Sequence, residues 1–397
     1  MSALDPLLSA EGWAYASLPP QEPGDPGRFH ALFGRDALIT ALQVLPAAPE
    51  VARATLRALA ARQGTRVDPE VDEEPGKILH ELRPVAGAWF TEAGWPVRDG
   101  RLLYYGTADA TSWFLVVLGA LADRALAAEL EPAWQAAAGW LARALDAGGG
   151  YVRHGPRAPG TGGLAQQGWR DAIAPVERHP EGAGIVREDG TAPVPPLADA
   201  DSQAVAVAAL DALARLDPDG GWDGRAGGLR ARLSGLDVEA MALEADGSVV
   251  PGAGSQLGWL LWAGALEPEA AAAAAARLEA PDVLTPFGLR TLSSAHPAFS
   301  PGAYHRGGVW PFDCWLSWGG LRAAGVADAA ERVRTGVLAA LDRLGLAPEL
   351  YAVGIDGMLQ PVPVANRVQA WTVGARWALE HDWDGRSPTP RAVVQSG

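Results

Sequence analysis

Apolar residues recur at intervals of three and four along most of the chain, the spacing of helices that bury one face. Ala- and Leu-rich stretches with this period fall at 36–45, 49–62, 109–124, 128–146, 201–215, 224–235, 255–264, 267–278, 309–323, 327–343 and 367–380. Stop signals separate them: Pro46 and Pro49 around the start of the second, Gly148-Gly149-Gly150 after the fourth, and Pro218 with Gly220-Gly221 after the fifth. The pattern predicts eleven helices, with space for one more near the N-terminus. Strand-like alternation is confined to short pieces such as Ser248–Val250. The predicted class is all-α.

The connections between helices are uneven. Those at 64–108, 147–198, 280–308 and 345–366 are long and rich in Gly, Pro, Trp and charge. Long loops without structure are uncommon in a compact domain and usually carry function. They alternate with helix pairs, and no low-complexity linker divides the chain. One domain over 1–397 is expected, its helices a scaffold and its long loops gathered at one end.

Composition narrows the classes of function. The 397 residues are 48% hydrophobic and 20% charged, which suits a large core. The net charge of -15, from 47 acidic and 32 basic residues, disfavours nucleic acid and anionic lipid as partners. A neutral sugar feels little of that field. Cys314 is the only cysteine, so neither an intrachain disulfide nor a thiolate metal cage can form. None of the seven His has metal-binding spacing. No metal or cofactor is expected. The first residues lack a basic segment and no apolar run is long enough to span a bilayer, so a cytoplasmic protein is expected. The 16 Trp outnumber the 7 Phe and 6 Tyr together. Trp serves both as core and as a flat surface for stacking on sugar rings.

Candidate chemistry lies at the loop–helix junctions. Phe33-Gly34-Arg35-Asp36 precedes a helix, where Asp36 can serve as a cap or can join Arg35 as acceptor and donor for sugar hydroxyls. Gln166-Gln167-Gly168-Trp169-Arg170-Asp171 sets a carboxyl beside an aromatic. Apolar surroundings raise a carboxyl pKa, as a general acid needs, although a surface Asp beside a half-buried Trp fits the same letters. Glu349, in Pro348-Glu349-Leu350-Tyr351, is flanked by apolar residues and is either ion-paired in a wall or aimed into a cleft. Tyr104-Tyr105-Gly106 with Asp109, and Tyr304-His305-Arg306-Gly307-Gly308-Val309-Trp310-Pro311, offer aromatics and hydrogen-bonding groups at two further helix mouths. An ordinary helix start with buried aromatics is the alternative for each.

Taken in order, these segments resemble the amylo-α-1,6-glucosidase (glycogen-debranching-type) glycoside hydrolases. More distantly they resemble glucoamylases and the glucosylglycerate and mannosylglycerate hydrolases. The run of Asp72 to Arg83, Tyr104 to Thr111 and Gly288-Leu289-Arg290-Thr291-Leu292 extend the likeness over roughly residues 30 to 350. The resemblance implies an (α/α)6 barrel and an inverting mechanism, with Asp171 as general acid and Glu349 as general base. It implies that Arg35 and Asp36 hold the sugar, and that Tyr105, Asp109, Trp169, Tyr304, His305, Arg306 and Trp310 line the pocket. The chain departs from the debranching pattern at Arg306 and Gly308, where Asn or Ser is usual, and at Trp259, where a His is usual. Arg306 resembles the glycosylglycerate branch more closely. No part of the chain corresponds to an N-terminal β-sandwich.

The expected reaction protonates the glycosidic oxygen from Asp171 while Glu349 deprotonates a water on the opposite face of the ring. Such a water needs carboxyls roughly 6.5–9.5 Å apart. His80 is the histidine expected nearest the site, or else a structural one. Two other classes compete. A sugar epimerase would need paired catalytic His, and a non-catalytic sugar-binding protein would not need two carboxyls beside apolar residues.

Overall fold

The computed structural model describes residues 2–19, 29–155, 162–173 and 184–386. Its helices are α1 (Gly34–Gln43), α2 (Pro49–Ala60), α3 (Ala88–Glu92), α4 (Ala110–Leu121), α5 (Arg124–Glu129), α6 (Glu131–Ala147), α7 (Ala200–Leu216), α8 (Trp222–Ser234), α9 (Gln256–Trp262), α10 (Pro268–Leu278), α11 (Pro311–Ala323), α12 (Ala327–Leu344) and α13 (Ala370–Glu380). All eleven predicted helices are present, most within three residues of their expected ends. The short α3 and α5 are additions, and the N-terminal helix is a single 3-10 turn at Asp5–Leu7.

Six of these helices pack in a closed circuit: α1 on α4, α4 on α7, α7 on α9, α9 on α11, α11 on α13, and α13 back on α1. Against them lie α2, α6, α8, α10 and α12, packed on α1, α4, α7, α9 and α11 respectively. The sequence of each group explains its place. Every residue of α1 is buried, as is α11 from Pro311 to Leu321, so these helices are covered all round. By contrast α12 buries one stripe, Ala329, Ala330, Val333, Val337, Ala340 and Leu341, at the spacing of a surface helix. Close approach of α9 and α11 needs glycine: a Cβ on Gly258 would lie 2.1 Å from the Ser317 hydroxyl, and one on Gly320 2.4 Å from the Gly258 carbonyl.

The chain alternates between the circuit and its outer layer, so all six circuit helices start at the same end. Short strands fill the long connections there and tie neighbouring helix starts together. Strands β1 (Leu32–Phe33), β2 (Glu81–Arg83) and β3 (Leu102–Tyr104) form an antiparallel sheet, with Phe33 opposite Glu81 and Glu81 opposite Tyr104. Strand β4 (Ala198–Asp199) pairs with β5 (Ala240–Leu243), which pairs with β6 (Val249–Pro251). Strands β7 (Leu284–Thr285) and β8 (Gly288–Leu289), and then β9 (Tyr351–Val353) and β10 (Leu359–Pro361), form hairpins. Single bridges join Val309 to Tyr351 and Ala347 to Val368. The connections expected to lack structure are therefore partly stranded. These strands are two to four residues long, too short for alternation to register in the sequence. Part of the 147–198 connection lies outside the described residues. No described helix is long and apolar enough to cross a membrane.

Candidate active site

Arg35 organises the site. It stands in the first turn of α1, whose start is fixed by the Gly34 N–H donating to the His80 carbonyl at 2.9 Å. Its Nε donates to Asp109 Oδ2 at 2.7 Å, one Nη to the Gly168 carbonyl at 2.9 Å, and the other reaches Asp171 Oδ2 at 3.5 Å. Asp109 is held in turn by the Thr107 hydroxyl at 2.9 Å. The Ala108 N–H donates to the Gln167 carbonyl at 2.8 Å, which fastens the start of α4 to the loop carrying Asp171. Gly168 has no space for a side chain, because a Cβ there would lie 2.9 Å from Asp199.

Glu349 belongs to a second network. One of its oxygens accepts from the Tyr304 hydroxyl and the other from the Asn366 N–H at 3.2 Å. Val309 and Tyr351 exchange backbone hydrogen bonds of 2.8 and 3.0 Å, joining the Tyr304 loop to the strand after Glu349. Asn366 donates its amide to Gln369 at 2.7 Å, and Gln369 donates to Asp36 at 3.2 Å. A continuous chain of hydrogen bonds thus runs from Tyr304 through Glu349, Asn366 and Gln369 to Asp36.

Asp36, Asp171 and Glu349 share one electrostatic environment. Burial drives the Asp171 carboxyl up to about 7, against the pull of Arg35, and Asp109 and Glu81 push it in the same direction. Asp36 rises to about 7 by burial, opposed by Arg35 and raised further by Asp171. Glu349 rises to about 8 by burial, with Tyr304 and Asn366 favouring its ionised form while Asp36 and Asp171 oppose it. Tyr304 feels all three carboxyls and is raised well above its ordinary value, first by its own burial. No hydrogen bond joins the carboxyls of Asp171 and Glu349 among the described residues. Asp171 is nonetheless near enough to raise Glu349 through its charge. Arg35 spends its shortest bond on Asp109 and makes only a long one to Asp171, which leaves Asp171 able to hold a proton.

The remaining expected residues divide. The His305 ring stacks on Trp310 at 5.3 Å, meets Trp169 edge-on at 5.1 Å and hydrogen-bonds the backbone of Asp171. Its pKa is driven well below the ordinary value, by burial and then by Arg170 and Arg35. Trp169 lies parallel to Trp259 at 5.8 Å, and Trp310 donates its indole N–H to the Tyr304 carbonyl at 2.8 Å. With 2% and 1% exposure, Trp169 and Trp310 back the wall and present almost no face for a sugar to stack on. Arg306 is also buried, which lowers its pKa, and its carbonyl accepts from the Ser300 N–H. Tyr105 is placed elsewhere. Its hydroxyl donates to the Arg62 carbonyl at 2.8 Å and it lines a separate cavity of about 330 Å³ with Arg62, Arg66, Glu73 and Arg101. The sequence put Tyr105 near Asp109, but the chain turns after β3 so that Tyr105 reaches Arg62 while Asp109 reaches Arg35. His80 meets Phe33 and Tyr104 edge-on; burial, then Arg35, Arg83 and Lys77, hold it well below its ordinary pKa as a neutral structural histidine.

Sequence reasoning passed over Gln369, Asn366 and Glu81. Gln369 immediately precedes α13, the same junction position that Asp109 and Trp310 hold at α4 and α11, so position could have found it. It also passed over His154, which accepts from the Gln167 N–H at 3.0 Å and bonds Asp199 at 2.8 Å, supporting the Asp171 loop from behind.

Among solved structures, a mannosylglycerate hydrolase of family GH63 from Thermus thermophilus, in complex with Tris and D-glycerate, matches at a TM-score of 0.70 and 18% identity, over 96% of this chain and 98% of that one. A wild-type glycosidase matches at 0.55 and 16%, over 97% and 95%. Neutral trehalase from Saccharomyces cerevisiae matches at 0.53 and 14%, over 93% and 77%. At these identities the likeness is one of fold. No curated protein matches in sequence. The model of the mannosylglycerate hydrolase MGH1-like glycoside hydrolase domain matches residues 36–351, from Asp36 at the start of α1 to the strand after Glu349. The family is thus one of glycoside hydrolases, as the resemblance implied, and it is named for the mannosylglycerate branch, not the debranching one. This chain belongs to the MGH1-like glycoside hydrolase family.

Proposed function

We propose that this protein hydrolyses the α-glycosidic bond of a mannosyl- or glucosylglycerate-type substrate with inversion, using Asp171 as general acid and Glu349 as general base. The observation that carries the reading is that two carboxyls from distant loops are each raised toward neutrality by desolvation and are near enough for Asp171 to raise Glu349, with Arg35 reaching Asp171 and Asp36 acting on Glu349. Burial keeps a proton on Asp171, which lies ready to protonate the glycosidic oxygen as the bond breaks. Burial raises Glu349 to about 8, and its two hydrogen bonds favour the charged form in which it takes a proton from water on the opposite face, so the rate depends on the ionised fraction. Asp36 and Arg35 bind sugar hydroxyls as acceptor and donor. Among these donors and acceptors, Gln369 fixes Asp36 with its amide N–H, which favours the ionised, acceptor form.

The closed circuit of six helices with an outer layer supports an (α/α)6 toroid over one catalytic domain, 1–397. The glycerate leaving group is favoured over an α-1,6-glucan by the family match and by the mannosylglycerate hydrolase among the structural relatives. A small soluble glycoside and a single buried cysteine suit a cytoplasmic enzyme. The test is direct. Mannosylglycerate, glucosylglycerate and an α-1,6-linked glucose oligosaccharide are supplied to wild type and to Asp171→Asn, and the first anomer released is read by proton NMR. Release of the β-anomer from a glycerate glycoside by wild type alone is expected. Initial release of the α-anomer, or preference for the glucan, would overturn the mechanism or the substrate respectively.

A further inference from the structure

The segment Gly168–Asp171 is gripped at each residue before the acid. The Gly168 carbonyl accepts from Arg35, and the Trp169 ring lies parallel to Trp259. Arg170 is buried. Its Nε donates to Asp201 at 2.9 Å, one Nη to the Thr291 carbonyl at 2.8 Å and the other to the Ser255 hydroxyl at 2.9 Å. Its guanidinium also lies 4.6 Å from the Trp169 ring centroid. Those partners come from the first turn of α7, the residue before α9 and the segment after β8, three separate parts of the wall. Backbone bonds between Gln166 and Ala172 close the loop on both sides. Of the four residues, only Asp171 turns an accessible side chain outward, at 25% exposure.

A buried guanidinium held by one carboxylate would serve as core packing. Three bonds in three directions do more, because a planar fork so held fixes the orientation of the backbone that bears it. The next residue in that backbone is the proton donor. We infer that Arg170 is a positioning residue for Asp171, setting where the acid's oxygen stands against the leaving group. This inference rests on Asp171 being the general acid. Arg170 touches no reacting atom, and its contribution is confined to the step in which a proton is delivered.

That confinement gives the test. A glycoside with a poor leaving group, such as the glycerate alkoxide, needs the proton, whereas a glycosyl fluoride departs with little help. Rates are compared on glucosylglycerate or mannosylglycerate and on the corresponding α-glycosyl fluoride, for wild type, Arg170→Lys, Ser255→Ala and Asp171→Asn. Lysine keeps the charge near Asp201 but cannot reach three partners. A displacement of an ångström at a reacting group costs on the order of 10²-fold, so Arg170→Lys is expected to lower kcat on the glycerate glycoside by about that factor. On the fluoride it is expected to stay within about threefold, with KM little changed on either. Ser255→Ala removes one of the three partners and is expected to show the same selectivity at smaller size, and it carries the test if the lysine variant does not fold. Equal loss on both substrates, or no loss on either, would overturn the positioning role while leaving the acid in place. If Asp171→Asn itself fails to discriminate between the two leaving groups, the acid assignment falls and this inference with it.

Discussion

Replacing Glu349 by Gln removes a buried ionisable group, and the effect on stability is predicted to have a sign opposite to that of most carboxylate substitutions. Glu349 is 2% exposed, and burial raises its carboxyl from 4.5 to about 8. In the folded protein it therefore binds a proton that the unfolded chain has already released. The contribution of such a group is fully present below pH 4.5 and is lost as pH rises through about 8. A tenfold change in proton affinity between the folded and unfolded chain corresponds to about 1.4 kcal/mol, so ionising the site by pH 8 withdraws up to ~5 kcal/mol of stability. Relaxation and water around the charged carboxyl reduce this, and about 2–3 kcal/mol is expected to remain. Glutamine never ionises and keeps an acceptor for Tyr304. Glu349→Gln should therefore match wild type near pH 4.5 and exceed it by about 2–3 kcal/mol above pH 8. For a chain of this length that is a rise in Tm of roughly 2–4 °C. Scanning calorimetry across pH 4.5–8.5, with activity measured on the same samples, reads both effects. A difference that is flat with pH, or a variant less stable at pH 8.5 than wild type, would refute the claim that burial raises the Glu349 carboxyl.

Four further outcomes follow from the same geometry. Asp171→Asn should lower kcat on a glycerate glycoside by about 10²–10⁴-fold with little change in KM, measured by steady-state release of free sugar. Tyr304→Phe removes a donor that favours ionised Glu349, so the acidic limb of the kcat/KM profile should move to higher pH; an unmoved limb would separate Tyr304 from the base. Arg35→Lys loses the fork shared by Asp109, Gly168 and Asp171 and should cost roughly tenfold or more in kcat/KM, read in the same assay. Tyr105→Phe should leave kcat and KM within about twofold while lowering Tm by the loss of one hydrogen bond, about 1 kcal/mol.

The helices were legible because each buries a continuous stripe or a whole surface, and the apolar period over ten to eighteen residues is a strong local signal. The two carboxyls were legible for another reason: Asp171 and Glu349 interrupt apolar or aromatic surroundings, where an ionised side chain is costly without a purpose. What the letters could not carry was direction. Tyr105 and Asp109 stand four residues apart on a turn, yet one faces Arg62 and the other Arg35. Trp169 and Trp310 were expected to offer their faces to a sugar. The Trp169 ring is enclosed by Trp259 and Phe312, residues distant in sequence, and the Trp310 ring by His305 from its own loop. The position of Gln369 before α13 was readable, but its link to Asp36 was not, since that partner lies at the other end of the chain.

The placement of charge follows from the closed circuit itself. Because the circuit helices start at one end, their unpaired N–H groups supply partial positive charge at that end. Asp36, Asp201 and Asp313 each occupy a first turn of one of these helices. Carboxyls are thereby tolerated in a wall that would otherwise reject them, and Arg35 and Arg170 supply full positive charge between them. The two arginines divide the work by their partners. Arg35 links Asp109 to Asp171, while Arg170 binds Asp201 and Ser255. A single loop residue between two such anchors is fixed in space without being neutralised. That suits the acid role proposed for Asp171: a carboxyl held in place, short of full ion pairing, and desolvated enough to be raised to about 7.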